Sequence, residues 1–259
     1  MPQNQYPIRD LPLVVSKVLH YNDRLFEVFL HADEPLPPFK PGQFAQILVK
    51  GSGGVFLRRP ISIYKYIGEE TISFLIQDAG KGTHRLRDAK KGDLWQVLMP
   101  LGNGFPMPAT DKPLLVGGGV GVAPLLALAE EILRKTGVKP AMLLGAKNEG
   151  AFPWLDDFRA VGELFLSTED GSLGEKGFVT GHSVLEQRAF SEVFTCGPTP
   201  MMKAVARWAK ERSLPCRASL ENVMGCGMGV CLCCVEPTVK GHRTVCHDGP
   251  VFDVNELSW

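Results

Sequence analysis

Five of the seven cysteines lie in one short stretch near the C-terminus, between Cys226 and Cys246. Four of them follow the spacing Cys226-x4-Cys231-x2-Cys234-x11-Cys246, and none of the seven occurs before Cys196. An odd number of cysteines clustered in this way argues against a disulfide framework. This stretch is therefore predicted to fold around a metal centre.

The spacing of the first three cysteines matches that of plant-type [2Fe–2S] sites, in which each iron takes two thiolates. A glycine-rich loop can bend tightly around such a flat cluster, and a later strand can bring the fourth thiolate. The predicted ligands are Cys226, Cys231, Cys234 and Cys246. Cys233 is expected to point away as a small buried hydrophobe. Zinc is the alternative metal, although a zinc ribbon usually presents two C-x2-C pairs.

The 259 residues carry a formal net charge of zero, because 28 basic residues balance 28 acidic ones. This balance excludes a strong field toward nucleic acid or an acidic membrane, so neither is an expected partner. Residues 1–10 lack the apolar run of a signal peptide, and the apolar stretch 113–129 is interrupted by glycines. We therefore expect a cytoplasmic protein with no membrane segment.

The pattern of apolar residues predicts a multi-domain chain. Short β-branched and aromatic runs at 13–15, 25–30, 44–49, 61–66, 71–76 and 94–98 favour an antiparallel β-barrel over 1–108. Strands at 114–116, 141–145, 164–166 and 193–195, with helices at 124–135 and 200–211, favour an α/β doubly wound domain over 109–215. The cysteine-rich segment 216–259 is taken as a small third domain.

Two motifs in the barrel zone suit a flavin dinucleotide. In Arg58-Arg59-Pro60-Ile61-Ser62, an arginine can pair with the pyrophosphate and the serine hydroxyl can bond the isoalloxazine edge. Further on, Gly80-Lys81-Gly82-Thr83 leads into a predicted helix over 84–89, with Thr83 as its N-cap. Either motif alone is typical of a charged surface turn, but the two together, ahead of a nucleotide fold, favour flavin.

Two turns in the second zone indicate a nicotinamide nucleotide. The run from Gly117 to Pro124, which includes Gly119 and Gly121, follows a predicted strand and opens a helix, as in a phosphate-binding turn. Cys196-Gly197-Pro198 follows another strand, where ligands of such sheets bind. Glu169-Asp170 without an arginine cluster favours NADH over NADPH. A buried cysteine before an ordinary turn is the alternative interpretation of Cys196.

Taken together, these motifs resemble the ferredoxin–NADP reductase superfamily. Within it, Arg59-Pro60-Ile61-Ser62, Leu101-Gly102-Asn103-Gly104-Phe105 and the first two cysteines with their glycines are similar to the electron-transfer subunit of NAD-linked, two-subunit dihydroorotate dehydrogenases of type 1B. The resemblance covers nearly the whole chain. It implies FAD contacts from Arg59, Pro60, Ile61, Ser62, Leu75, Ile76, Gln77, Gly82 and Thr83. Ile61 stands where the wider superfamily has a tyrosine that stacks on the flavin.

The resemblance also implies a reaction and a partner. An FMN-containing catalytic subunit would oxidise dihydroorotate to orotate for pyrimidine biosynthesis, and electrons would pass through the [2Fe–2S] cluster and FAD to NAD+. The family implies two copies of each subunit and places no catalytic acid or base in this chain. Two alternatives stay open: a reductase subunit of a hydrogenase or sulfide-linked complex, and a zinc-stapled regulatory module.

Overall fold

The computed structural model describes residues 7–49 and 54–259, so most of the N-terminal stretch weighed for a signal peptide lies outside it. The chain divides into two compact units. Unit 1 contains Met1–Gly104, Glu221–Glu236 and His242–Pro250, and unit 2 contains Phe105–Leu220, Pro237–Gly241 and Val251–Trp259. The cysteine-rich segment therefore supplies residues to both units, and its cysteines 226–234 and 246 belong to unit 1.

Unit 1 contains a seven-stranded antiparallel sheet with the order β4-β3-β7-β1-β2-β6-β5. Its elements are β1 (Arg9–His20), β2 (Leu25–His31), β3 (Phe44–Ile47), β4 (Arg59–Ser62), β5 (Lys65–Ile67), β6 (Thr71–Gln77), α1 (Lys81–Arg87) and β7 (Leu94–Leu101). The antiparallel barrel expected from the sequence is thereby confirmed. The run predicted as one strand at 61–66 is in fact two strands, β4 and β5.

The barrel core forms because alternate side chains of each strand point to the same face. Phe26, Val28 and Leu30 of β2 are fully buried, and Phe74 and Ile76 of β6 pack in the same cluster. Each such side chain contributes roughly 1.5–3 kcal/mol when it leaves water. This core fixes the two strands that carry predicted flavin contacts, β4 and β6.

The short helix α1 begins differently from the sequence expectation. Gly80, not Thr83, is its N-cap, and Thr83 is the third helical residue. A glycine has no side chain with which to cap, so the Thr83 hydroxyl reaches back and accepts the backbone N–H groups of Ala79 and Gly80 at 2.9 and 3.1 Å. The prediction of Thr83 as N-cap was wrong, although its hydroxyl still satisfies the helix start.

Unit 2 is built on a second seven-stranded sheet, with the order β11-β10-β9-β8-β12-β13-β16. Adjacent strands of this sheet run parallel, except for the last pair, β13 and β16, which run antiparallel. The remaining elements of the chain are β8 (Pro113–Gly118), α2 (Ala123–Thr136), β9 (Ala141–Ala146), α3 (Leu155–Val161), β10 (Glu163–Thr168), β11 (Glu175–Lys176), α4 (Val184–Gln187), β12 (Glu192–Cys196), α5 (Thr199–Glu211), β13 (Cys216–Ser219), β14 (Val235–Thr238), β15 (Gly241–Thr244) and β16 (Val251–Asp253). Strands β14 and β15 form a small separate sheet.

The strand order of unit 2 reverses between β8 and β12. Strands β9 and β10 extend to one side of β8, while β12 and β13 extend to the other. In doubly wound sheets, ligands bind at the carboxyl ends of the strands at such a reversal. Both predicted nicotinamide turns follow these two strands.

Two strands of this sheet, β13 and β16, come from the segment that the sequence analysis took as a cluster domain. They have four and three residues, too few to show a period-two pattern. Within the described ranges, no helix combines the length and apolar character needed to cross a membrane.

Candidate cofactor sites

Each of the four predicted iron ligands has a sulfur that accepts backbone N–H groups. The Sγ atom of Cys226 accepts from Met228, Val230 and Cys231 at 3.3–3.4 Å. The loop can aim several N–H groups at one sulfur because Gly227 and Gly229 take positive φ angles of 73° and 81°. The glycines noted in the sequence therefore have a direct structural reason.

The other three sulfurs each accept one backbone N–H. Cys231 accepts from Cys226 at 3.3 Å, Cys234 accepts from Cys246 at 3.3 Å, and Cys246 accepts from Gly229 at 3.1 Å. Hydrogen bonds of this kind stabilise negative charge on sulfur. They match the needs of thiolates that bind iron, whose potentials depend on N–H bonds to the sulfurs.

The cysteines are arranged as two pairs. Cys226 and Cys231 exchange backbone-to-sulfur hydrogen bonds, and Cys246 is hydrogen-bonded to Cys234. A cluster of two irons would take two thiolates at each iron, which two cysteine pairs can provide.

The pKa of one thiol in each pair, Cys226 and Cys246, is shifted, and the two shifts are in opposite directions. Burial opposes ionisation of Cys226, but hydrogen bonds from Met228, Cys231 and Val230 outweigh it and lower its pKa to about 6. Burial raises the pKa of Cys246 to about 12, with the neighbouring thiol of Cys234 adding to the effect. Backbone N–H groups alone thus do not keep all four sulfurs ionised, whereas bound iron would supply the missing positive charge.

The structure corrects the expectation for Cys233. This thiol is exposed, so it is not the buried hydrophobe that the sequence analysis expected. Its neighbour Leu232 is also exposed and takes a positive φ of 58°, which turns the chain between two predicted ligands. Cys234, by contrast, is buried.

Polar side chains of the barrel hold the cysteine loop within unit 1. Asn103 donates through Nδ2 to the carbonyls of His247 and Asp248 at 2.9 and 3.1 Å, close to Cys246. Gln46 donates through Nε2 to the carbonyl of Gly225 at 3.3 Å, next to Cys226. Sequence reasoning had quoted Asn103 only as part of a motif and had missed Gln46, because nothing in a strand pattern identifies which residue meets a distant loop.

The two flavin motifs meet at a cleft in unit 1. The cleft has a volume of about 430 Å³ and is lined by residues 54–57, 59 and 79–83. Arg59, Gly82 and Thr83 are thereby brought together, although Arg59 and Gly82 are 23 positions apart in the chain. A Cβ atom on Gly82 would lie 2.5 Å from Cδ of Arg59, so only glycine leaves room for the arginine there.

The other predicted FAD contacts lie on β4 and β6 and are not among the residues that line the cleft. Pro60, Ile61 and Ser62 continue β4 beyond Arg59 and are all half-buried. Leu75, Ile76 and Gln77 lie on β6, where Ile76 packs inside the barrel core and Gln77 is exposed. Residues 54–57 of the cleft wall were missed, since an irregular run before β4 has no pattern from which to predict it.

The two predicted nicotinamide turns touch each other in unit 2. A Cβ atom on Gly121 would lie 2.5 Å from both Cα and N of Gly197, so the two backbones approach too closely for any side chain. Gly197 itself takes a φ of 149°. Cys196 ends β12 and is fully buried, while Pro198 precedes α5. The turn at Gly119 is a short 3₁₀ helix, Gly119–Val122, before α2 begins.

One carboxylate of the acidic pair after β10, that of Asp170, accepts hydrogen bonds within its own turn. The Asp170 carboxylate accepts the backbone N–H and the hydroxyl of Ser172 at 2.9 and 2.6 Å. These hydrogen bonds lower the pKa of Asp170. The neighbouring Glu169 is exposed.

The barrel with its cleft, the doubly wound sheet and the paired cysteines are together typical of a flavin- and iron–sulfur-dependent electron-transfer reductase. The family described as the iron-sulfur cluster binding domain of dihydroorotate dehydrogenase B matches residues 221–258. These residues include all four predicted ligands.

Curated relatives extend the similarity to nearly the whole chain. The dihydroorotate dehydrogenase B (NAD(+)) electron transfer subunit of Geobacillus kaustophilus is 39% identical over 244 residues, covering 91% of this chain and 93% of the relative. That of Lysinibacillus sphaericus is 42% identical over 238 residues, covering 88% and 90%. This chain belongs to the family of dihydroorotate dehydrogenase B electron transfer subunits, as the sequence motifs indicated.

Solved structures confirm the fold. A structure of an NADH-dependent reduced ferredoxin-NADP oxidoreductase, studied for flavin-based electron bifurcation, is 29% identical with a TM-score of 0.84, covering 96% of this chain and 90% of that one. A ferredoxin reductase of carbazole 1,9a-dioxygenase is 24% identical with a TM-score of 0.69, covering 81% and 67%, and shows the fold alone.

Proposed function

We propose that this chain is the electron-transfer subunit of a dihydroorotate:NAD+ oxidoreductase and is active together with an FMN-containing catalytic subunit. The observation that carries the proposal is the arrangement of the four cysteines in two pairs, in which every sulfur accepts at least one backbone N–H group. These cysteines lie in the same compact unit as the flavin cleft. The relatives named above, similar over most of their length, support the same role.

The proposed cofactors are FAD and a [2Fe–2S] cluster, with NAD as substrate. When bound, the flavin exchanges a hydride with the nicotinamide and single electrons with the cluster, so the cofactors supply the redox chemistry. In unit 1, Arg59 would neutralise the flavin pyrophosphate, and Gly82 gives its side chain room. Cys226, Cys231, Cys234 and Cys246 would hold the irons.

In unit 2, the residues proposed to bind NAD act through their backbones. The turn that contains Gly119 and Gly121 would offer backbone N–H groups to the dinucleotide, and Gly121 lies against the Gly197 backbone with no room for a side chain between them. Cys196 and Pro198 shape the second turn, where the nicotinamide ring would lie. We assign no acid or base to this chain, because the proton taken from dihydroorotate would be removed in the catalytic subunit.

We propose that the catalytic subunit docks on the cysteine loop. No charged residue occurs between 222 and 235. Val230 is 79% exposed and Leu232 63% exposed, and Val223 and Met228 are also exposed apolar side chains of this loop. Uncharged apolar patches are typical of the centre of a protein interface. Docking here would bring the partner's flavin close to the iron ligands, and two such pairs would form the proposed heterotetramer.

One comparison favours a second candidate. The neighbour that carries out NADH-dependent ferredoxin–NADP chemistry covers almost this entire chain. A related reductase subunit with another partner would use the same FAD and [2Fe–2S] sites. The partner's substrate is therefore what separates the two functions.

The decisive experiment is to purify the chain together with its native partner, extract the flavins and assay NAD+ reduction. FAD with FMN, [2Fe–2S] absorbance and NADH formation that depends on dihydroorotate are the expected results. An intact, cofactor-loaded complex that ignores dihydroorotate but reduces ferredoxin or NADP+ would instead establish the second candidate.

A further inference from the structure

Gln46 is a buried polar residue that joins the barrel to the cysteine loop. It lies on β3 between Ala45 and Ile47, and its residue exposure is 1%. Its Nε2 atom donates to the carbonyl of Gly225 at 3.3 Å. A Cβ atom on Gly227 would lie 2.8 Å from its amide carbon, so the same side chain also packs against the loop on the other side of Cys226.

The carbonyl that Gln46 binds belongs to the peptide group whose N–H is that of Cys226. That N–H in turn donates to Sγ of Cys231 at 3.3 Å. The Gln46 amide, the peptide between Gly225 and Cys226, and the Cys231 sulfur therefore form one chain of hydrogen bonds. A donor at a peptide carbonyl polarises the N–H of the same peptide, and such chains strengthen each bond by roughly 10–30%.

Gln46 also lies beside β4, the strand that carries several of the predicted FAD contacts. On the backbone, Gln46 pairs with Pro60 of β4, and Ile47 pairs with Arg59. The backbone carbonyl of Gln46 accepts a hydrogen bond from Arg58 at 3.4 Å. The residue that contacts the cysteine loop is thus held rigidly by the strand on which predicted FAD contacts lie.

We propose that Gln46 is a positioning residue that raises the reduction potential of the cluster by orienting and polarising the Cys226 N–H toward the Cys231 sulfur. Reduction adds negative charge to the cluster and its thiolates, so N–H donors to sulfur stabilise the reduced form. The inference rests on the proposed function, because it requires the four cysteines to hold a [2Fe–2S] cluster. It assigns a role in tuning that cluster to a barrel residue outside the cysteine motif.

The test is a redox titration of the complete, cofactor-loaded protein, followed by EPR of the reduced cluster. Gln46→Leu removes the donor and keeps the approximate volume, and the midpoint potential is expected to shift to a more negative value with altered g-values. Gln46→Glu, titrated at a pH where the carboxyl group is ionised, cannot donate and adds negative charge. Its shift is expected to be in the same direction and at least as large.

The matched control is Gln96→Leu. Gln96 is a half-buried residue of β7 in the same sheet, and its Nε2 donates to the carbonyl of Asp10 at 3.2 Å rather than to the cysteine loop. The midpoint potential and EPR spectrum of the cluster in Gln96→Leu should equal those of the unaltered protein. Iron and acid-labile sulfide are measured for every variant, so that a lost cluster is not mistaken for a shifted one.

Full cluster content with an unchanged potential and spectrum in Gln46→Glu would overturn the inference and leave the proposed function standing. Should Gln46→Leu fail to retain the cluster, the better-matched Gln46→Glu decides the question alone. A positive shift in either variant also contradicts the proposal. Absence of any [2Fe–2S] signal in the unaltered protein would instead refute the proposed function.

Discussion

The cysteine loop and the pair of predicted nicotinamide turns are two candidate sites built almost without charged residues, but they differ in the groups that form them. In the loop, side-chain sulfurs are the proposed ligands, and the positive φ angles of Gly227 and Gly229 let the loop aim N–H groups at them. At the turns, the backbone itself would form the site, and Gly121 has no room for a side chain because it nearly touches the backbone of Gly197. A site made of side chains tolerates changes between its ligands, whereas a site made of backbone does not.

The largest effect is expected at the ligands themselves. Cys231→Ser replaces a thiolate that iron requires, so the [2Fe–2S] absorbance and EPR signal should be lost completely. Cys233→Ser alters an exposed neighbouring thiol and should leave both signals intact. A cluster that is lost in Cys233→Ser and retained in Cys231→Ser would show that the ligand assignment is wrong.

Gly121→Ala tests the backbone site. The added Cβ would lie 2.5 Å from the Gly197 backbone, which cannot move aside as a flexible side chain can. Relief of this overlap must displace the turn, so the KM for NAD+ should rise roughly tenfold, corresponding to about 1.4 kcal/mol, while the FAD and cluster spectra stay normal. Gly181→Ala, whose Cβ would meet nothing within 4 Å, is the control in the same unit. Unchanged NAD+ kinetics in Gly121→Ala would remove the turn from the proposed site.

Gly82→Ala tests a glycine whose close neighbour is a flexible side chain rather than backbone. Its Cβ would displace the Arg59 side chain, which is flexible and can partly withdraw. We expect FAD affinity to fall about tenfold, corresponding to roughly 1.4 kcal/mol, measured by flavin fluorescence during titration of the apoprotein. Gly181→Ala, in unit 2 and with nothing within 4 Å of its Cβ position, should bind FAD normally. Equal affinities for the two variants would disconnect Arg59 from the flavin.

The smallest effect on the cofactors is expected from a substitution on the exposed surface of the cysteine loop. Val230→Asp places a charge on the exposed apolar patch and should weaken association with the catalytic subunit, since charges are depleted at interface cores. Cluster content should be unchanged. Val239→Asp, at a residue that is 66% exposed but outside the loop, is the control for calorimetric titration against the partner. Partner affinity that falls equally in both variants would argue against docking on the loop.

Sequence alone was sufficient for features that depend on local pattern. Short runs of β-branched and aromatic residues predicted most strands of the barrel, and strand–helix alternation predicted α2 and α5 to within one or two residues. The cysteine spacing indicated the cluster type, because three of the four predicted ligands, Cys226, Cys231 and Cys234, lie within one short loop. The run at 61–66, read as one strand, failed because nothing in its composition marks the break between β4 and β5.

The amino-acid sequence by itself determined which chemical groups this protein possesses: four thiols at cluster spacing, an arginine–serine flavin motif and glycine-rich turns. Only the tertiary structure decided which of them meet. It placed Arg59 against Gly82, Gly121 against Gly197 and Gln46 beneath the cysteine loop, although 179 positions separate Gln46 from Gly225. The physical reason is that such close approaches depend on packing between elements distant in the chain, for which no local pattern of residues carries a signal.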